Sequence, residues 1–76
     1  MNTHKEGEVE KIVGANIRKE RESQGITQLE LAEMIGKKSA TFTAYIEKGQ
    51  RNITIKDLYL IARALHTQIE NLLKQL

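Results

Sequence analysis

The stretch Gln28–Glu47, QLELAEMIGKKSATFTAYIE, decides the fold. It reads as two short helices around a tight turn at Gly36. Thr27 stands just before it, with Glu30 three residues on, and the two form a capping box that starts a helix. Leu31, Ala32 and Ile35 then fall on one helical face. Ala32 is small, which lets a second helix approach closely. Gly36 follows the last apolar residue, where a left-handed C-cap belongs. Ser39 is placed to cap a second helix, and Phe42 and Ile46, spaced i, i+4, form its inner side. Two helices joined by about four residues with a glycine make a helix-turn-helix, whose second helix enters the major groove of DNA.

Working outward, Val9–Gln24 predicts the first helix, because Val9, Ile12, Val13 and Ile17 repeat at helical spacing. Gly25 ends it and Ile26 is an apolar connector. The second and third helices span about 28–35 and 39–47. Gly49 closes the third, and residues 50–53 form a polar loop with Ile53 as its anchor. Thr54 with Asp57 and Thr67 with Glu70 predict two further capping boxes. They open helices at about 55–65 and 68–75, with Leu58, Ile61, Ala62, Leu65, Ile69, Leu72 and Leu73 apolar. No strand-like alternation is present. The reading is an all-α, five-helix bundle over residues 9–76, preceded by a polar tail at residues 1–8. His4 falls in that tail. The acids Glu6 and Glu8 disfavour its use as a minor-groove arm.

A chain of 76 residues supports one small core, and helices build it with the fewest residues. There is no cysteine, hence no disulfide or thiolate metal site. No apolar run approaches the ~18 residues of a membrane span, and the N-terminus MNTHKEGEVEK lacks the apolar segment of a secretory signal. A soluble, cytoplasmic protein is expected. The net charge is only +2, but between Lys37 and Lys56 five cations face one anion. The remainder carries seven cations against nine anions. The positive segment covers the second half of the helix-turn-helix and its exit loop, where a phosphate-facing surface would lie.

VGANIRKERESQGITQLELAEMIG (residues 13–36), IEKGQRN (46–52) and LYLIARALHTQIENLL (58–73) together resemble the phage repressor/Cro family of helix-turn-helix proteins. GQRNITIKDL is similar to the controller proteins of restriction–modification systems, a subgroup of that family. The resemblance implies a lambda repressor-like DNA-binding domain, dimeric on a two-fold, inverted-repeat operator. It implies that Gln28 touches a phosphate, at a helix N-terminus whose N–H groups favour an anion. Thr27 lies at the same terminus. It further implies that the start and outer face of the third helix read base edges, and that the loop after it grips the backbone, here Lys48, Arg51 and Asn52.

One departure follows from the same alignment. Glu47 lies eleven positions after Gly36, one more than in the family. Placing the additional residue late gives Phe42 the core isoleucine position. Placing it in the turn, at Lys37 or Lys38, would put Thr43 there, a polar residue in a dry site. The late placement is therefore expected. At about 100° per residue, Phe42 and Ile46 then face in, Ala40 and Ala44 face out flanked by Thr41 and Thr43, and Tyr45 is at the border. Glu47 points to solvent, and the family's buried pair between it and Arg21 is lost.

The expected DNA surface is thus Ser39, Ala40, Thr41, Thr43, Ala44 and Tyr45, with Lys37 and Lys38 beside it. It holds no Arg, Gln or Asn on the helix for a bidentate base contact. Thymine methyl contacts, Tyr45, Lys38 or Arg51 on guanine, and DNA shape would carry discrimination. Ile69, Leu72, Leu73 and Leu76 are expected to form the dimer interface as well as core. No catalytic set, cofactor, metal or small-molecule ligand is expected, and His66 reads as a cap or surface histidine. The alternative reading is an antitoxin of the same fold, or a protein-binding module that has lost base readout.

Overall fold

The computed structural model describes Lys5 and residues 7–76. Five helices follow one another: α1 (Glu8–Ser23), α2 (Gln28–Met34), α3 (Ala40–Glu47), α4 (Ile55–Ala64) and α5 (Ile69–Leu72). Among the described residues there is no strand, and no helix is long and apolar enough to cross a membrane. Most of the tail expected over residues 1–8, His4 included, lies outside the described residues. Of the rest, Glu8 opens α1, and its Oε1 accepts from the Lys5 N–H at 3.1 Å.

Side-chain caps set the starts of the middle helices. At Thr27 the capping box is complete: Thr27 Oγ1 accepts from the Glu30 N–H at 3.1 Å, and Glu30 Oε1 accepts from the Thr27 N–H at 2.8 Å. That second bond holds the Glu30 carboxyl below its ordinary pKa. Ser39 Oγ caps α3 through the Thr41 N–H, and Thr54 Oγ1 caps α4 through the Asp57 N–H. Only the Thr54 half of the box expected there forms, and the Asp57 carboxylate pairs instead with Lys37 Nζ at 3.5 Å.

Two expectations at the C-terminus are corrected. Thr67 does not cap α5; its N–H closes α4 on the Ala62 carbonyl at 2.9 Å, and its Oγ1 accepts from Asn71. The N-cap passes to Gln68, which makes no side-chain cap bond. α5 is also a single turn rather than a helix to residue 75. Asn16 Nδ2 takes up the carbonyls of Leu72 at 3.0 Å and Lys74 at 2.8 Å, so α1 supplies what a further turn would have bonded.

The core runs through all five helices: Val13 and Ile17, Leu31 and Ile35, Phe42 and Ile46, Ile61, Ala62 and Leu65, and Leu72. Each large apolar side chain buried there stabilises by about 1.5–3 kcal/mol. α3 is held from two sides, by α1 and by α2. Its approach to α1 is set by Gly14, which is buried in mid-helix. A Cβ at Gly14 would overlap the Ile46 carbonyl oxygen and lie 2.9 Å from that of Glu47. Sequence reading passed over this glycine, although a glycine inside a helical pattern marks a close backbone approach.

Candidate nucleic-acid interface

The turn between α2 and α3 is built from backbone bonds. Gly36 has φ 82°, its N–H donates to the Glu33 carbonyl at 3.1 Å, and the Lys37 N–H donates to that of Ala32 at 2.8 Å. This 5→2 and 6→1 pair closes α2 and turns the chain, and only glycine takes that φ without strain. Lys37 and Lys38 follow before Ser39 caps α3.

The contacts of α3 fix which way it faces. Phe42, Thr43, Ile46 and Glu47 are buried, and Thr41, Tyr45 and Lys48 are exposed, with Ala40 and Ala44 half-buried. The burial of Phe42 and Ile46 agrees with the sequence reading. Two other expectations are overturned. Thr43 does not face outward: it is 2% exposed, and its hydroxyl donates to the Gln28 carbonyl at 2.9 Å, which satisfies the polar group in its dry site. Glu47 does not face solvent: it is 8% exposed and accepts from Arg21 twice, Nε to Oε2 at 2.6 Å and Nη2 to Oε1 at 3.1 Å.

The buried pair is thus retained and the additional residue is taken up in the turn at Lys37–Lys38. Helices on both flanks widen the buried arc of α3, so Ile46 and Glu47 are inside together. The guanidinium meets the carboxylate fork to fork. Arg21 Nη1 also donates to the Ile26 carbonyl at 2.7 Å. Bonding to Glu47, followed by its negative charge, raises the Arg21 pKa against the effect of burial.

Glu47 has a third donor. Gln28 Nε2 reaches its Oε1 at 3.1 Å, so the first residue of α2 is tied to the last of α3. Each Gln28 amide carries two N–H donors, and the bond to Glu47 uses one. On the other border of α3, the Phe42 ring lies under two cations: Lys37 Nζ is 4.8 Å from its centroid and the Arg51 guanidinium carbon 4.9 Å. Lys37 is also the partner of Asp57.

The exposed face of α3 therefore lies between two edges. Gln28 and the α2 N-terminus, with Thr27, stand on the side of Thr43 and Glu47. Lys37 and Arg51 stand on the side of Phe42. Thr41 and Lys48 are central, Ala44 leans to the first edge and Tyr45 to the second. Lys38, Ser39 and Asn52 are exposed at the ends of this surface. Sequence reasoning missed the partners Phe42, Asp57 and Glu47 that hold these residues: Glu47 and Asp57 are remote from Gln28 and Lys37 in number, and apolar spacing marks Phe42 only as core.

At the C-terminus, Leu72 is fully buried in the chain's own core, so it is not available to a seam. Ile69 and Leu73 are half-buried and Leu76 is exposed. Leu73 lines an apolar cleft of about 150 Å³ with Val9, Val13, Ile53 and Leu58.

A family profile described as helix-turn-helix, HTH_3, matches residues 17–72. Control protein C.SmaI of Serratia marcescens is 32% identical over 66 residues, which cover 87% of this chain and 77% of that one. The crystal structure of the restriction–modification controller protein C.AhdI from Aeromonas hydrophila superimposes with a TM-score of 0.77 at 27% identity, covering 82% of this chain and 92% of that one. The DNA-binding domain of BldD superimposes with a TM-score of 0.80 at 27% identity, covering 91% and 99%.

Proposed function

Because this chain belongs to the Cro/C1-type helix-turn-helix family of transcriptional regulators, we propose that it binds an inverted-repeat operator as a dimer, with α3 in the major groove. The observation that carries this reading is the exposed face of α3 between two phosphate-seeking edges. Gln28, with its spare N–H at the α2 N-terminus, takes a phosphate on one edge. Arg51 and Lys37 take phosphates on the other, and Lys48 and Asn52 extend the grip. Thr41, Ala44 and Tyr45 meet base edges, with Ser39, Ala40 and Lys38 at the entry to the groove. The likeness to C.SmaI and C.AhdI supports a controller role beside restriction and methylation genes.

The outward face of α3 offers methyls, hydroxyls and a phenol rather than a bidentate base reader, so discrimination rests partly on DNA shape. That same poverty favours the second reading, a module that docks a protein partner. Selection of bound duplexes from a random pool separates the two. Recovery of an inverted repeat with half-sites about 34 Å apart is the expected result. No enrichment over the input pool supports the protein-docking module instead.

A further inference from the structure

The Phe42 ring does more than fill the core. Its centroid is 4.8 Å from Lys37 Nζ and 4.9 Å from the Arg51 guanidinium carbon, and the two cations come from opposite ends of α3. One precedes the helix in the turn that carries the additional residue; the other follows it in the loop. A phenyl face attracts both through its quadrupole. Lys37 is held further by Asp57 at 3.5 Å. Arg51 is exposed and has Phe42 as its anchoring contact on α3.

We propose that Phe42 is a positioning residue for DNA binding: its ring sets Lys37 and Arg51 in one row along the Tyr45 edge of α3, as a preformed grip for consecutive phosphates of one strand. The proposal rests on the DNA-binding reading above. Long cationic side chains lose rotamer freedom when they clamp a phosphate, and a ring that orders them beforehand removes part of that loss. A leucine in place of Phe42 would fill the space without ordering either cation.

The test uses the full chain and a 20-base-pair duplex of arbitrary sequence, since the grip is independent of base identity. Binding is followed by fluorescence anisotropy across a salt series for wild type, Phe42→Leu, Phe42→Tyr, Arg51→Ala and the double variant Phe42→Leu/Arg51→Ala. Circular dichroism confirms which variants are folded. Phe42→Leu should bind about three- to tenfold more weakly, the scale of part of the ordering cost that two long side chains would then meet on binding. Phe42→Tyr should stay within about twofold of wild type. In the Arg51→Ala background the Phe42→Leu loss should shrink, because the two changes share one interaction. A packing role alone would leave that loss unchanged by Arg51→Ala, and this overturns the proposal. If Phe42→Leu unfolds, proton NMR of wild type decides: the Arg51 δ and Lys37 ε resonances must be shifted upfield of those of exposed cations by the ring current. Unshifted resonances overturn the proposal. A wild-type chain with no salt-dependent binding would overturn the DNA-binding reading itself, which is distinct from binding that ignores the ring.

Discussion

Glu47 closes α3, answers the Arg21 guanidinium with both carboxylate oxygens and holds the Gln28 amide. Glu47→Gln keeps the shape but takes away the carboxylate that meets Arg21 fork to fork in a buried site, leaving the more exposed Glu22 at 3.9 Å. It should therefore destabilise by about 3–5 kcal/mol, the range for breaking one side of a buried pair. Phe42→Ala should fall in a similar range of about 3–5 kcal/mol. Urea unfolding of the two variants checks both values, and a Glu47→Gln loss below about 1 kcal/mol would mean an exposed pair. Gly14→Ala should be at least as severe, because the added methyl meets backbone carbonyls that cannot move without displacing α3. At this scale the sequence was only half legible. Apolar spacing found Phe42 and Ile46. Helical spacing alone gives α3 one core-facing side, whereas α1 and α2 flank it on two. Spacing therefore turns Thr43 and Glu47 outward, and no local pattern turns them back, because Gln28 and Arg21 are their partners only in the folded chain.

Helix ends explain the elements. Thr27 and Ser39 were legible as caps because a cap bond is local, reaching two or three residues. The end of α5 is not legible in this way, because it is fixed by Asn16, far away in the chain. One end is strained. His66 closes α4 at φ 52°, in the position that Gly36 fills after α2. His66→Gly should relieve that backbone and raise stability by about 0.5–1 kcal/mol, after its added freedom in the unfolded chain is set against it. Thermal melts read this directly. A fall in Tm would mean that the side chain of His66 contributes more than its backbone loses. The Thr27 box carries a pH signature. The Glu30 pKa is lowered in the folded state, so its contribution is present above the ordinary carboxylate range and is lost as pH falls through the lowered value. Glu30→Gln should flatten the acid side of the stability curve between those two values, in urea titrations at stepped pH.

For the whole molecule, the composition and the three capping signals around Gln28–Glu47 were enough to read an all-α bundle, and the family profile covers most of it. The dimer seam was the least legible part. Apolar residues at a chain end look alike whether they serve a core or a partner, and Leu72 proves to be core. The seam proposed here is reduced to the exposed parts of Ile69, Leu73 and Leu76. Leu76→Glu should weaken self-association without unfolding the chain, and sedimentation showing only monomer for wild type at high micromolar concentration would contradict a dimer. The central claim is that α3 reads bases between two backbone grips. Repeating the random-pool selection with wild type, Tyr45→Ala and Arg51→Ala tests it most directly. The account expects one inverted repeat for wild type, an altered base preference for Tyr45→Ala, and the wild-type sequence at weaker affinity for Arg51→Ala, with a salt slope lower by about one unit. An altered sequence for Arg51→Ala with the slope intact, or an unchanged preference for Tyr45→Ala, would contradict it.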